Sequence, residues 1–248
     1  RGFVGDVLGA DNNLQTDRNV LIAPKIGYKT LETIALKRHI ALHYLKQFIS
    51  REGNRRLSVF IARHGQSEGN VNGVYEGTRN SPLTDEGREQ ARKAGLFFLN
   101  KKIRGIFSSP LGRARETAEI ISETVGMPVT IIPAFREMDF GIFQGQSRKS
   151  MEELFSDFFL QRSKSPHCKL YMPYPSGESY FNVYTRAVSA FAELLATREN
   201  FVIVGHESVN RIIRGFALNK PLTTMIKDRQ KNTDIVEIDL LDDSEKIH

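Results

Sequence analysis

The order of apolar and polar runs in this chain predicts a doubly wound α/β fold, a mostly parallel sheet with helices on both faces. Three observations carry that expectation. Short apolar runs of strand length alternate with amphipathic runs of helix length from about residue 57 onward. Capping and stop residues separate them, with Thr84 before one helical run and Gly126-Met127-Pro128 after another. Two of the apolar runs end abruptly beside a glycine and a histidine, at the carboxyl ends of strands, where sheets of this class place their ligand-binding groups.

Taken in order, Val59 to Ala62 is a short buried strand, and a polar loop follows from Gly69 to Pro82. Thr84 then opens a helix with Asp85 and Glu86 in its first turn, where the helix dipole favours them, running to about Leu99. Ile103 to Phe107 is a second strand. Arg113 to Val125 is a helix that Gly126 and Pro128 stop, and Val129 to Ile132 is a third strand. Met151 to Gln161 reads as a helix, and Ser163 to Gly177 as an irregular, Pro-rich stretch. The long helix Ser179 to Arg198, the strand Phe201 to Val204, the helix Val209 to Leu218 and the strand Asp234 to Leu240 complete the alternation.

Residues 1–55 stand outside it, so the expected division is an N-terminal extension over 1–55 and an α/β domain over 56–248. Within the extension, Thr30 caps an amphipathic helix in which Leu31, Ile34, Ala41, Leu45 and Phe48 recur at three- and four-residue spacing or its sums. The bland reading is a helix packed on the domain; the sharper one is the tail of a larger upstream domain. The chain does not begin with Met, which predicts a piece of a longer protein.

Composition narrows the function classes. Hydrophobic residues make up 40% of the chain, enough for a core. No apolar run approaches the ~18 residues of a membrane span, so no membrane partner is expected. The single Cys168 excludes an internal disulfide and suits a reducing, cytoplasmic compartment. A net charge of +6 without aromatic-interleaved basic patches points away from nucleic acid and toward small anionic substrates. No cluster of Asp/Glu or Cys/His has metal-ligand spacing, so neither metal nor cofactor is expected.

The candidate chemistry sits where strands end. Arg63-His64-Gly65 follows the first strand, with Ser67 and Asn70 positioned to donate to the same spot. Gly205-His206-Glu207 follows the Phe201 strand, and Ser108-Ser109-Pro110 leads into a helix bearing Arg113 and Arg115. Arg136-Glu137 supplies a carboxylic acid after a further strand. Two histidines converging among fixed guanidinium groups form an anion site with a nucleophile in it.

In order and spacing, Arg63-His64-Gly65-Gln66-Ser67, Arg113 within Ser-Pro-Leu-Gly-Arg-Ala, Glu137 and His206 resemble the motifs of the histidine phosphatase (phosphoglycerate mutase-like) superfamily, over about Leu57 to Leu240. The resemblance implies that His64 attacks phosphorus to give a phosphohistidine, that Arg63, Arg113 and His206 stabilise the charge in transit, and that Glu137 acts as general acid and then general base. Within the superfamily, Gly205-His206-Glu207 and Tyr174-Pro-Ser-Gly-Glu-Ser-Tyr180 are similar to the fructose-2,6-bisphosphatase domain of the bifunctional 6-phosphofructo-2-kinase/fructose-2,6-bisphosphatases. Carried over by motif, Lys169, Tyr180 and Arg211 would grip a sugar's second phosphate, with Ser67, Asn70, Gly77 and Glu207 also against substrate. The upstream partner implied is a kinase domain, although this chain has no Gly-x4-Gly-Lys-Ser/Thr phosphate loop. Three positions depart from that family: Glu207 replaces a neutral Gln, Arg148 a Tyr, and Ser165 an Arg for which Arg162 is the nearest substitute. The loop Val74 to Leu83 looks more like the general phosphatase and mutase pattern. The expected function is therefore hydrolysis of fructose 2,6-bisphosphate. The rival is a phosphatase or mutase for other small phosphoesters such as phosphoglycerates, and from another class, a weakened regulatory or scaffolding module.

Overall fold

The computed structural model describes residues 57–248 apart from 198, 228, 233 and 241–243, so the 1–55 extension and its helix lie outside the described residues. A six-stranded sheet runs through the described chain in the order β3-β2-β4-β1-β5-β6. Its strands are β1 (Ser58–Arg63), β2 (Gly105–Ser108), β3 (Val129–Ile131), β4 (Phe201–Gly205), β5 (Ile235–Asp239) and β6 (Ser244–Ile247). β1, β2, β3 and β4 pair in parallel, whereas β5 joins β1 antiparallel and β6 joins β5 antiparallel. The helices, in chain order, are α1 (Glu68–Val71), α2 (Asp85–Phe98), α3 (Gly112–Val125), α4 (Arg148–Leu154), α5 (Ser156–Ser163), α6 (Pro166–Tyr171), α7 (Tyr180–Leu195), α8 (Glu207–Ala217) and α9 (Leu222–Met225).

Side-chain alternation along the strands fills both faces of the sheet. Phe60 and Ala62 of β1, Ile106 of β2 and Val202 and Val204 of β4 point one way, into Ala94 and Phe98 of α2 and Ala114, Ala118 and Ile121 of α3. On the opposite face Phe201 meets Phe191 of α7 edge-on at 6.3 Å, and Phe191 in turn meets Phe216 of α8. β4 is buried at every position, as expected of a central parallel strand covered on both sides.

The caps read in the sequence form. Thr84 accepts from the Gly87 amide at 3.0 Å to start α2, and Gly126 ends α3 in the left-handed region at φ 71°. Other expectations need correction. The loop after β1 contains α1, opened by a capping box between Ser67 and Asn70. The single helix expected over 151–161 is two helices, because Phe155 leaves helical torsions at φ −111°, ψ 36°. Periodicity ran the two together because Met151, Phe155, Phe158 and Phe159 keep helical spacing across the break. Three of these rings, from Phe155, Phe158 and Phe159, gather on Phe143 within 5.8 Å. The stretch expected to be irregular holds α6, whose cap Ser165 accepts from the Cys168 amide at 3.1 Å with Pro166 in the first turn. The edge strand β6, with only Ile247 apolar, gave no strand signal at all.

Candidate active site

Parallel pairing of β1 with β4 builds the centre of the site. Arg63 lies opposite Gly205 in the register, and the His64 amide donates to the Gly205 carbonyl at 3.0 Å. The two histidines therefore leave neighbouring strand ends together, and their ring centroids lie 5.1 Å apart. A side chain on Gly65 could not be accommodated, since a Cβ there would meet the Gly87 carbonyl oxygen at 2.3 Å.

The partner of each ring nitrogen bears on which one carries the proton. His64 Nδ1 lies 2.7 Å from the Gly65 carbonyl oxygen, which can only accept. Nε2 is thus the lone-pair nitrogen, and it accepts from Arg113 Nε at 3.2 Å. His206 Nε2 lies 2.7 Å from Ser109 Oγ. That hydroxyl accepts from the Leu111 amide at 3.2 Å and has its own proton to give to His206 Nε2, an arrangement in which Nδ1 carries the N–H. Burial holds both imidazoles well below the usual histidine range, with Arg113 adding to the effect in each case. Both are neutral at physiological pH.

Arg113 is buried, and the first turn of α3 aims it across the pocket. Its Nη1 and Nη2 each donate at 2.8 Å, to the carbonyls of Arg79 and Gly77. Gly77 turns its carbonyl inward at φ 57°, and a Cβ on it would meet Gln144 Oε1 at 2.0 Å. Arg63 donates to the Gln230 carbonyl at 2.7 Å and lies 3.4 Å from Glu207 Oε2. Desolvation lowers the pKa of both guanidiniums from their ordinary value, and neighbouring carboxylates oppose the shift. Glu137 is buried at the wall, its oxygens accepting from the Met138 amide at 2.7 Å and the Ser208 amide at 3.3 Å. Arg186 secures this segment from α7. It donates to the carbonyls of Ala134, Arg136 and Glu137 and forks onto Glu178 at 3.0 and 2.9 Å.

These groups open on a cavity of about 610 Å³ lined by eight Arg or Lys side chains and four Glu. Its far wall comes from α5 and α6 and from the stretch after α9. Lys169, Tyr180 and Arg211 do come together there: Arg211 donates to Tyr180 Oη at 3.0 Å. Partial desolvation and the nearby Arg211, Arg162 and Arg229 lower the Lys169 pKa. Glu207 pairs with both Arg211 and Arg63, bridging the two ends of the cavity. Of the departures, Arg148 stacks over Tyr75 at 4.8 Å and Ser165 caps α6, while Arg162 is buried, lies 4.5 Å over the Tyr174 ring and donates to the Met172 carbonyl. Three buried nitrogens in the lining have no hydrogen-bond partner, Arg63 Nε at one end and Arg211 Nε and Arg162 Nη2 at the other, and His206 Nδ1, behind His64, has none either.

Two expected donors are otherwise engaged. Ser67 donates to Glu76 Oε1 and Asn70 Nδ2 to Glu76 Oε2, both at 2.7 Å, because they belong to the turn that starts α1. Arg115 points away, pairing with Glu119 at 2.7 Å on the outer face of α3. Sequence reasoning missed Glu76, Ser109 and the Arg186–Glu178 pair. Ser109 was within reach, since it follows a strand end beside the motif arginine.

Residues 59–248 match the family described as histidine phosphatase superfamily (branch 1). A relative from Hydrogenobacter thermophilus, named "Putative phosphoserine phosphatase 2", is 36% identical over 149 residues, 60% of this chain and 72% of that protein. The 6-phosphofructo-2-kinase/fructose-2,6-bisphosphatase of Caenorhabditis elegans is 30% identical over 170 residues, 68% of this chain but 35% of the longer enzyme. Among solved structures, mycobacterial hydrolase 1 superposes with a TM-score of 0.68 at 24% identity, covering 74% of this chain and 92% of its own.

Proposed function

The chain belongs to the histidine phosphatase superfamily, whose members are phosphatases and mutases, and from that premise we propose that it hydrolyses fructose 2,6-bisphosphate to fructose 6-phosphate through a phosphohistidine on His64. The observation that carries this reading is the pairing of unpartnered buried donors at both ends of one cavity. One end suits the phosphoryl group under attack, the other a second phosphate on the same small sugar.

In the first step the His64 Nε2 lone pair attacks phosphorus in line, and the bond to the sugar oxygen breaks. Glu137 gives that oxygen its proton. Arg63 Nε, the His206 Nδ1–H and the positive charge of Arg113 meet the charge that gathers on the equatorial oxygens, in a pocket whose burial strengthens each contact. The Glu137 carboxylate then takes a proton from water, the hydroxide attacks the phosphohistidine, and the P–N bond breaks to free phosphate and neutral His64. The relatives' names support a phosphoester substrate of this size but differ among themselves.

A second reading rests on Glu207, which draws charge from Arg63 and Arg211. A carboxylate in place of the second phosphate, as in a phosphoglycerate, needs less positive charge there. A phosphate-release panel separates the two. Fructose 2,6-bisphosphate should be turned over better than 3-phosphoglycerate, phosphoserine or a generic ester. Each charge-assisted contact contributes about 1.5–3 kcal/mol, so Lys169→Ala or Arg211→Ala should weaken bisphosphate turnover about ten- to a hundredfold and spare the generic ester. Better hydrolysis of 3-phosphoglycerate, with neither substitution discriminating, would replace the bisphosphatase reading with the general one.

A further inference from the structure

Glu76 is a carboxylate in a place that an anion site would be expected to keep free of negative charge. Its side chain is buried and lines the same cavity as His64. Oε1 accepts from Ser67 Oγ at 2.7 Å, and Oε2 accepts from Asn70 Nδ2 at 2.7 Å and lies 3.8 Å from Arg113 Nε. The backbone makes room for it: a Cβ on Gly69 would meet Glu76 atoms at 2.5 to 2.7 Å. A glycine in α1 is thus what lets the carboxylate lie against that turn.

The bland account, a counterion that holds Arg113 in place, explains too little. Arg113 is already fixed through its donors to Gly77, Arg79 and His64, at 2.8, 2.8 and 3.2 Å, and the Glu76 contact is longer than any of them. What Glu76 does change is the site's appetite for anions. It engages Asn70, a donor that lines the cavity beside it, and it sets a negative charge near the Arg113 guanidinium.

We propose that Glu76 limits phosphate affinity at the His64 end of the cavity, so that the phosphoryl group and inorganic phosphate are held loosely and released. This rests on the phosphohistidine reading above, and it deepens that reading by assigning the site to hydrolysis and release over retention and transfer. The chemistry of attack stays with His64 and Glu137; Glu76 governs how long the product remains. A charge several ångströms from a dianion, partly screened, shifts its binding by about ten- to a hundredfold.

The test is the inhibition constant of inorganic phosphate, measured against a generic ester with the wild type, Glu76→Gln and Glu76→Ala, with thermal unfolding of each. Phosphate should bind about ten- to a hundredfold more tightly to both variants. A structural role would move affinity in the opposite direction, by loosening Arg113. Unchanged or weaker phosphate binding in folded variants overturns the proposal, and so does failure of both to fold, which would make Glu76 a structural counterion. A wild type that neither releases phosphate nor forms a phosphoenzyme would instead overturn the phosphatase reading itself.

Discussion

His64 and His206 are both neutral and both buried, yet their partners assign them opposite jobs. The Gly65 carbonyl accepts from His64 Nδ1 and leaves the lone pair on Nε2, the atom proposed to attack once Arg113 Nε turns from it to phosphate, while the Ser109 hydroxyl engages Nε2 of His206 and suits an N–H on Nδ1. His64→Ala should therefore abolish an acid-labile, base-stable phosphoenzyme and lower turnover by orders of magnitude; stoichiometric label persisting in that variant would disprove the assignment. Ser109→Ala should keep the phosphoenzyme but slow its formation about tenfold or more, since His206 would no longer be held to one tautomer. Glu137→Gln should cost about 10²–10⁴-fold on an ordinary ester and much less on one whose leaving group needs no proton. His64, Arg113, Glu137 and His206 were legible because each follows a strand or opens a helix within a short motif. Glu76 was not, because its position depends on the α1 turn and the space at Gly69, neither of which has a pattern in the chain.

Among the elements, the segment bearing Glu137 is held by contacts that leave no slack. Gly141 follows it at φ 56°, and a Cβ there would meet the Pro175 carbonyl oxygen at 1.9 Å. Across the same gap the Glu178 amide donates to the Asp139 carbonyl at 2.8 Å. Gly141→Ala should therefore destabilise the fold by roughly 1–3 kcal/mol from backbone strain alone, with the clash added, as read by denaturant unfolding. It should also depress activity on every substrate alike, because Glu137 moves with the segment. Strands and capped helices were readable wherever apolar period and cap residues agreed, as at Thr84 and Gly126. The helices over the cavity were misread where rings rather than period set the chain's course, as at Phe155.

For the whole molecule, the two buried histidines couple folding to acidity. Their pKa values are lowered in the fold from the ordinary histidine value of 6.5, so on unfolding each takes up a proton below that pH. Stability from this source is complete above about pH 6.5 and falls as the pH drops below it, by up to about 1.4 kcal/mol per pH unit for each histidine. Urea midpoints measured between pH 7.5 and 5 should decline accordingly, and His206→Asn should flatten the slope; an unchanged slope would mean that the histidines are not the source. The doubly wound topology was legible in the alternation of elements, but the antiparallel turn-back of β5 and β6 was not, since direction leaves no mark on a short apolar run. The separation of the two ends of the cavity has a consequence for descent. The reacting end is written into the register of β1 on β4, where a slip of one residue would dislodge both histidines at once. The opposite wall is written into short helices, α5 and α6, which pack through aromatic rings and share no ladder bond with the sheet. Substitutions there can retune which molecule is accepted while the reaction itself is inherited intact, so a lineage built on this plan can change its diet without relearning how to digest.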